Sequence, residues 1–181
     1  MFCLVLFLTC VFVTLTFGLM ASVSDFRGMT IPNMYSAAII ISFALAWAVL
    51  AVLGKGELLA PWWSHLLSAL IIFAITAGLF AIGMLGAADS KLASAFALWT
   101  GMGSLPVFLV YMAISGGLLG ATALYIKKKK PFKAPKEGSW PAQLQNGANK
   151  VPYGAAISFG ALIAFFHAGF FSPATLSGFL N

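Results

Sequence analysis

The chain has 181 residues, of which 61% are hydrophobic and 8% are charged, and its formal net charge is +6. This composition excludes an ordinary soluble protein and indicates an integral membrane protein whose surroundings are the lipid bilayer. No long polar block is present, so we expect no appended soluble domain and treat residues 1–181 as one domain. The positive charge does not indicate a nucleic-acid partner, because no fold pattern or aromatic motif for nucleic-acid binding accompanies it.

The first apolar segments are long enough to cross the membrane, which takes about 20 residues for roughly 30 Å of hydrocarbon. Residues 2–23 form the first predicted span, and we expect it to be retained because it has no basic start and its apolar run is too long for a signal peptide. Cys3 and Cys10 in this span lack a CxxC spacing, so we expect buried free thiols rather than a disulfide or a zinc site. The next two spans are predicted over 34–54 and 63–84.

The next apolar segment is too long for one crossing. It covers residues 92–126, and a helix of these 35 residues would measure about 52 Å. The stretch GMGSLP at residues 101–106 predicts a break, because glycine, serine and proline end and restart helices. We therefore predict an all-α polytopic membrane protein with about six transmembrane helices in one bundle. The last three predicted spans are 90–101, 105–126 and 153–171.

The distribution of basic residues supports six spans. With six, the loops at 24–33, 85–91 and 127–152 share one face and carry nine of the ten basic residues, whereas Lys55 lies opposite. Because loops rich in Lys and Arg lie in the cytoplasm, this face is predicted to be cytoplasmic and both termini periplasmic. The basic loop 127–152 is expected to be mobile and able to cover a site, and its run KKKKPFK is able to attract anionic lipid head groups.

Two of the four acidic residues stand out. Glu57 and Glu137 lie in polar loops and are expected to be solvated, but Asp25 and Asp89 lie at the end of the first span and the start of the fourth. Ionisable residues at such depth are costly and usually face the interior of a bundle. Two carboxyls converging from different helices are able to share one proton, because like charges a few Å apart do not both ionise cheaply. A plainer interpretation of Asp89 is a helix N-cap.

The sequences around these aspartates carry a resemblance. Residues 25–33 read DFRGMTIPN and residues 86–92 read GAADSKL. They resemble the D-x-R-x-x-x-I-P-N and G-x-G-D-x-K-L stretches of the type IV prepilin peptidases, the GxGD class of intramembrane aspartyl proteases. The similarity extends over nearly the whole chain, including VPYG at residues 151–154. It is greatest to the short members associated with tight-adherence (Flp) pili, which lack an N-terminal domain linked to methylation.

The resemblance implies both a mechanism and a substrate. Asp25 and Asp89 would be catalytic: one, ionised, takes a proton from water, and the other, protonated, stabilises the developing oxyanion. No metal, other cofactor or covalent intermediate is implied. The substrate would be a prepilin or pseudopilin with a short basic leader, cut near the cytoplasmic face of the bacterial inner membrane, typically after glycine.

Residues near the aspartates are assigned supporting roles, each with an alternative. Arg27 and Lys91 would stabilise an ionised carboxylate or hold the substrate backbone, although positive-inside anchoring explains them equally well. Pro32 and Asn33 are expected to begin and cap the second helix, or else to contact substrate. Gly86 is expected to permit close packing at the site.

One position departs from the family pattern. Ala88 stands where the family has a glycine immediately before the second aspartate. If that glycine adopts positive φ, alanine costs about 1 kcal/mol; if it only allows close approach, the methyl is tolerated. The departure raises the alternative of a relative that does not cleave.

Two other classes of protein remain alternatives. A small proton-coupled or cation-coupled transporter would place its acids at the bilayer midplane, whereas these lie near one face and no inverted repeat is visible. A non-catalytic membrane protein of pilus assembly would keep the fold without needing both acids. A serine protease is disfavoured, because no serine and histidine are predicted at matched depth; His65 and His167 are assigned packing or interfacial roles. Interfacial positions are also predicted for Trp47, Trp62, Trp63 and Trp140.

Overall fold

The computed structural model describes residues 1–179, which form seven α-helices and no strand. The all-α prediction is therefore confirmed. A short 3-10 turn covers Gly56–Leu58, between the second and third helices. The helices are α1 (Phe2–Gly28), α2 (Asn33–Val52), α3 (Trp62–Ala81), α4 (Ala87–Lys129), α5 (Trp140–Gln145), α6 (Tyr153–His167) and α7 (Pro173–Gly178).

Four of these helices, α1 to α4, are long and apolar enough to cross a membrane, as expected for a membrane protein. Helix α6 is also apolar but has only 15 residues, fewer than the predicted span 153–171. Helix α1 continues past the predicted end at residue 23 and ends at Gly28. Helix α4 begins at Ala87, ahead of the predicted start at residue 90. Both candidate aspartates therefore lie within helices, close to helix ends.

The predicted fourth and fifth spans are the two halves of α4, a 43-residue helix interrupted at Gly101. Gly101 has φ 59° and ψ 177°, and it is the one residue of α4 with non-helical dihedral angles. Residues with a side chain rarely adopt such a φ, whereas glycine does so readily. The break thus falls at the first residue of the predicted 101–106 segment.

The chain reverses direction at Gly101. Before the break, α4 runs antiparallel to α3, because Thr76 bonds Ser90 and Ser68 bonds the carbonyl of Ala97. After the break, α4 runs antiparallel to α6. Its contacts with α6, in chain order, are Ser104 with His167, Met112 with Gly160 and Gly116 with Tyr153.

Side chains of α3 satisfy the backbone groups that the break exposes. The hydroxyl of Ser64 accepts the N–H of Met102 at 3.0 Å, at the start of the second half of α4. His65 Nδ1 lies 2.8 Å from the carbonyl oxygen of Leu98, at the end of the first half. Unpaired backbone groups are costly in apolar surroundings, so these contacts stabilise the reversal. The predicted packing role of His65 takes this form.

The core is aromatic and lies where the helices meet at the Gly101 end. Trp99 is fully buried and packs against Phe7, Phe43 and Phe165, which come from α1, α2 and α6. Its indole N–H donates to the carbonyl oxygen of Ile39 at 3.1 Å, so the buried ring leaves no unpaired donor. This cluster joins four helices at one end of the bundle.

A smaller apolar cluster lies at the opposite end, where the predicted basic loop packs against α1 and α4. Trp140 of α5 is buried there, packs edge-on against Phe26 and donates its indole N–H to the carbonyl of Lys150 at 2.9 Å. The loop folds back as α5 and buries the ring against α1 and α4, while the interfacial position of Trp140 stays a prediction. Trp62 and Trp63 are exposed.

Gly160 is expected to be essential for packing α6 against α4. A Cβ at this position would lie 2.8 Å from the backbone oxygen of Phe108 and 2.8 Å from the backbone nitrogen of Met112, and backbone atoms do not move aside cheaply. We expect Gly160→Ala to lower the free energy of unfolding by about 1–3 kcal/mol, the usual cost of overpacking. Thermal unfolding of the purified protein in detergent measures this, with Gly117→Ala as the matched control because Gly117 faces open space. Equal melting temperatures for the two variants would contradict the prediction.

Candidate active site

Asp25 lies in the last turn of α1 and is buried. Its Oδ2 accepts the backbone N–H of Gly154 at 2.9 Å, from a residue 129 positions further along the chain. Gly154 is in the first turn of α6, where the N–H groups have no partner within the helix and the helix dipole favours negative charge. The start of α6 therefore holds the Asp25 carboxylate in place.

Asp89 is the third residue of α4 and is half-buried. Its Oδ2 accepts the backbone N–H of Gly86, the N-cap residue, at 3.3 Å. The N-cap interpretation of Asp89 is therefore wrong in position, because the helix starts two residues earlier. Its carboxylate nevertheless accepts an N–H at the start of the helix, as a capping group does, through Oδ2 alone. The other oxygen, Oδ1, is available for a second role.

The two aspartates line one cavity of about 310 Å³. The rest of the lining comes from Met29 at the end of α1, from the loop before α4 and from the chain leading into α6, notably Lys150 and Tyr153. Since the lining mixes polar and apolar groups, the cavity is able to hold both water and a peptide backbone.

Two glycines let the chain approach the carboxylates closely. A Cβ on Gly86 would lie 2.7 Å from Oδ2 of Asp89. A Cβ on Gly154 would lie 3.1 Å from Oδ2 of Asp25 and 2.9 Å from Ile31 Cδ1. The close packing expected at Gly86 is therefore an approach to the aspartate itself.

Ala88 has helical dihedral angles, since Gly101 alone is non-helical within α4. The first alternative, a strained alanine at positive φ, is therefore wrong for this chain. The methyl group is partly buried and packs against the apolar core. Because alanine adopts the helical conformation of α4 without strain, Ala88 gives no conformational reason to expect an inactive relative.

Replacing Ala88 with glycine is expected to bring no gain in activity. Ala88→Gly should leave the peptide cleavage that the resemblance implies within about threefold of the wild-type rate. It should lower the free energy of unfolding by about 0.5–1 kcal/mol, because glycine costs more backbone entropy in a helix. A cleavage assay combined with a thermal melt of the same preparation measures both. A cleavage rate ten or more times higher would show that the alanine impairs the site, since it corresponds to at least about 1.4 kcal/mol of transition-state stabilisation.

The basic residues of the two motifs do not line the aspartate cavity. Arg27 is exposed and lines a separate groove between α1 and α2, together with Tyr35. Lys91 donates to Oδ1 of Asn33 at 3.1 Å and so joins the start of α4 to the start of α2. Asn33 makes no capping bond to α2, whose N-cap is Pro32, so the predicted capping role of Asn33 is wrong.

Sequence reasoning missed several residues of this region. Gly154 and Tyr153 belong to the VPYG stretch, whose similarity to the family was noted without a role being assigned. The prediction that no serine and histidine lie at matched depth was also wrong, because Ser104 Oγ lies 3.2 Å from His167 Nδ1. This pair joins α4 to α6 at the Gly101 end, away from the aspartates.

Within residues 1–179, no three His, Cys, Asp or Glu side chains group as metal ligands.

The fold and the cavity define an α-helical membrane protein with two carboxylates converging at one end of its bundle. The family model described as type IV leader peptidase family matches residues 3–121, and so includes both aspartates. The chain belongs to the type IV leader peptidase family. It is therefore a peptidase, a hydrolase that acts on a protein substrate. No curated protein and no solved structure matches the chain.

Proposed function

We propose that the protein is an aspartic endopeptidase that removes the basic leader peptide from Flp-type prepilins or pseudopilins. The observation that carries this proposal is the shared cavity: Asp25 and Asp89 lie on different helices, 64 residues apart, and line the same space. Carboxylates in one enclosed site are able to divide the roles of acid and base between them.

In the proposed mechanism the two carboxyls share one proton. A water molecule between them gives a proton to the ionised carboxylate while its oxygen attacks the scissile carbonyl carbon. The protonated carboxyl donates to the carbonyl oxygen and stabilises the tetrahedral intermediate. Collapse of that intermediate breaks the C–N bond. The departing amine takes up the proton that the first carboxylate received from water, which leaves the pair with one proton again. The proton belongs to the pair, because strongly coupled groups titrate together.

We assign positioning rather than catalytic roles to the neighbouring motif residues. The hydrogen bond between Lys91 and Asn33 fixes the first turn of α4, which carries Asp89, against the start of α2. Pro32 begins α2 and so fixes where Asn33 lies. Gly86 lets the backbone before α4 approach the Asp89 carboxylate closely, and Ala88 packs the first turn of α4 against the apolar core. Arg27 marks the cytoplasmic boundary of α1.

We propose six membrane crossings with both termini in the periplasm of a bacterial inner membrane. The reversal at Gly101 supports this count, because it allows the two halves of α4 to cross separately. The aspartate cavity lies at the end that also carries Lys91, Lys127 and Lys150. Lys55 lies apart and donates to the carbonyl oxygen of Gly178. By the positive-inside rule, the aspartate end faces the cytoplasm.

Cleavage by the purified protein tests this function. The full chain is reconstituted in liposomes with a Flp-type prepilin, and the product is analysed by mass spectrometry. We expect loss of the leader by cutting at one bond, typically after glycine. Binding of prepilin without cleavage would instead support an assembly role, and proton or cation flux without cleavage would support a transporter.

A further inference from the structure

A groove runs along the second half of α4, on the side that packs against α5. Its volume is about 320 Å³. Four residues spaced three or four apart, and therefore on one face of the helix, form its α4 wall: Gly120, Ala123, Leu124 and Lys127. Leu144 of α5 and the chain that follows α5 complete the lining, which is mostly apolar. We call this space the apolar groove.

A second space, which we call the basic hollow, continues from the lysine end of the apolar groove. Its volume is about 420 Å³, and it shares Lys127 and Leu144 with the groove. The rest of its lining comes from the chain at the ends of α4 and α5: Lys130, Gln145, Asn146 and Gly147. Within residues 1–179, no acidic residue lines either space. The two spaces together form an amphipathic site, apolar along α4 and positively charged at its end.

The two lysines of the basic hollow are able to bind an anion. The Lys127 ammonium donates to the carbonyl oxygen of Gly147 at 3.2 Å and to Oδ1 of Asn149. Because an ammonium has three N–H groups, one remains for a ligand. Lys130 is exposed beside the hollow, and the neighbouring lysines in the last turn of α4 add to the positive potential. The hollow therefore suits a phosphate group.

The direction of the site matches that of a phospholipid in the cytoplasmic leaflet. Leu124 is 71% exposed, so the apolar groove is open along the outer surface of α4. In the proposed topology α4 ends at the cytoplasmic face, which places Gly120 about 10 Å deeper in the bilayer than Lys127. An acyl chain lying in the groove would bring its phosphate to the hollow. The groove has room for part of one chain, because an apolar cavity of about 150 Å³ already binds benzene.

The charge of the basic hollow argues against the proposed substrate as its occupant. The leader peptide that the family resemblance implies is basic, so Lys127 and Lys130 would repel it. A soluble anion would use the hollow and leave the apolar groove unused. An anionic phospholipid is the ligand that uses both parts of the site.

We propose that the apolar groove and the basic hollow bind one anionic phospholipid of the cytoplasmic leaflet. This lipid would stabilise one wall of the aspartate cavity, because Asn149 and Val151 line the apolar groove and the aspartate cavity alike. Lys127 bonds Gly147 and Asn149, so a phosphate on Lys127 would act on the same segment of chain. Lipid binding there does not require the proposed peptidase reaction.

Native mass spectrometry of the full chain in detergent measures this binding. Wild type is titrated with phosphatidylglycerol and, separately, with phosphatidylcholine that has the same acyl chains, so that the two lipids differ in the head group alone. We expect the first phosphatidylglycerol to bind at least about fivefold more tightly, the gain from about one lysine near a membrane surface. Equal dissociation constants for the two lipids would overturn the proposal.

Lys130→Gln tests the basic hollow. Its matched control is Lys136→Gln, which removes an exposed charge of the same loop from a residue that lines neither space. We expect Lys130→Gln to weaken phosphatidylglycerol binding by about fivefold and Lys136→Gln to weaken it by less than about twofold. Equal losses in the two variants would show diffuse attraction to a basic loop, and so would contradict a defined site.

Gly120→Leu tests the apolar groove. A Cβ on Gly120 or on Gly117 meets no atom within 4 Å, so both positions accept leucine, but only Gly120 lines the groove. We expect Gly120→Leu to weaken phosphatidylglycerol binding by about tenfold, as for the loss of about two buried methylenes, and Gly117→Leu to leave it unchanged. Wild-type affinity in Gly120→Leu would show that the head group alone is held, and would replace the lipid site with one for a soluble anion.

Discussion

Asparagine in place of either Asp25 or Asp89 is expected to abolish leader removal. An amide neither accepts a proton from water nor donates an acid proton to the scissile carbonyl, so each variant loses one half of the acid–base pair. Loss of such a group costs roughly 10²–10⁴ in rate, which takes cleavage below detection in a gel-shift assay of co-expressed prepilin. The two losses should be similar in size, because the aspartates act as one unit.

The fold should survive both changes. Asparagine is close in size to aspartate, and its side-chain oxygen is still able to accept the N–H of Gly154 at position 25 or of Gly86 at position 89. Membrane levels and thermal unfolding of the variants should therefore match wild type. Glu137→Gln is the control, because this exposed loop carboxylate lies outside the cavity and its loss should leave cleavage intact. Full cleavage by either aspartate variant would refute the aspartic mechanism.

Gly86→Ala is expected to lower cleavage by about 10–100-fold, because small displacements of a catalytic group carry large kinetic costs. The new Cβ would lie 2.7 Å from Oδ2 of Asp89, closer than van der Waals contact permits, so the carboxylate must move. The backbone itself would tolerate alanine, since Gly86 has φ −76° and ψ 146°. The loss should therefore fall on kcat more than on stability.

Single-turnover cleavage and a thermal melt of the same preparation measure the two effects of Gly86→Ala separately. Ala88→Gly serves as the counterpart, because it changes one methyl two residues away without crowding the carboxylate. If Gly86→Ala cleaved prepilin within about twofold of wild type, the contact between Gly86 and Asp89 would not position the catalytic group.

Much of the architecture follows from the sequence alone. Long apolar segments indicate membrane helices, because the bilayer accepts few unpaired polar groups. The segment 92–126 exceeds one crossing, so its glycine-rich interruption had to break the helix, and Gly101 does so. Asp25 and Asp89 stood out because charges are rare in such a chain. These features depend on neighbouring residues and on the thickness of the bilayer, which a sequence records directly.

The contacts between distant segments were decided by the tertiary structure. The sequence did not predict that Gly154 would bond Asp25, that Asn33 would pair with Lys91 instead of capping α2, or that α5 would bury Trp140. Nor did it predict the apolar cavity of about 230 Å³ between α3, α4 and α6, whose walls come from helices far apart in the chain. Such contacts depend on how whole helices pack, and a helix's own residues fix its apolar faces but not which partner will cover them.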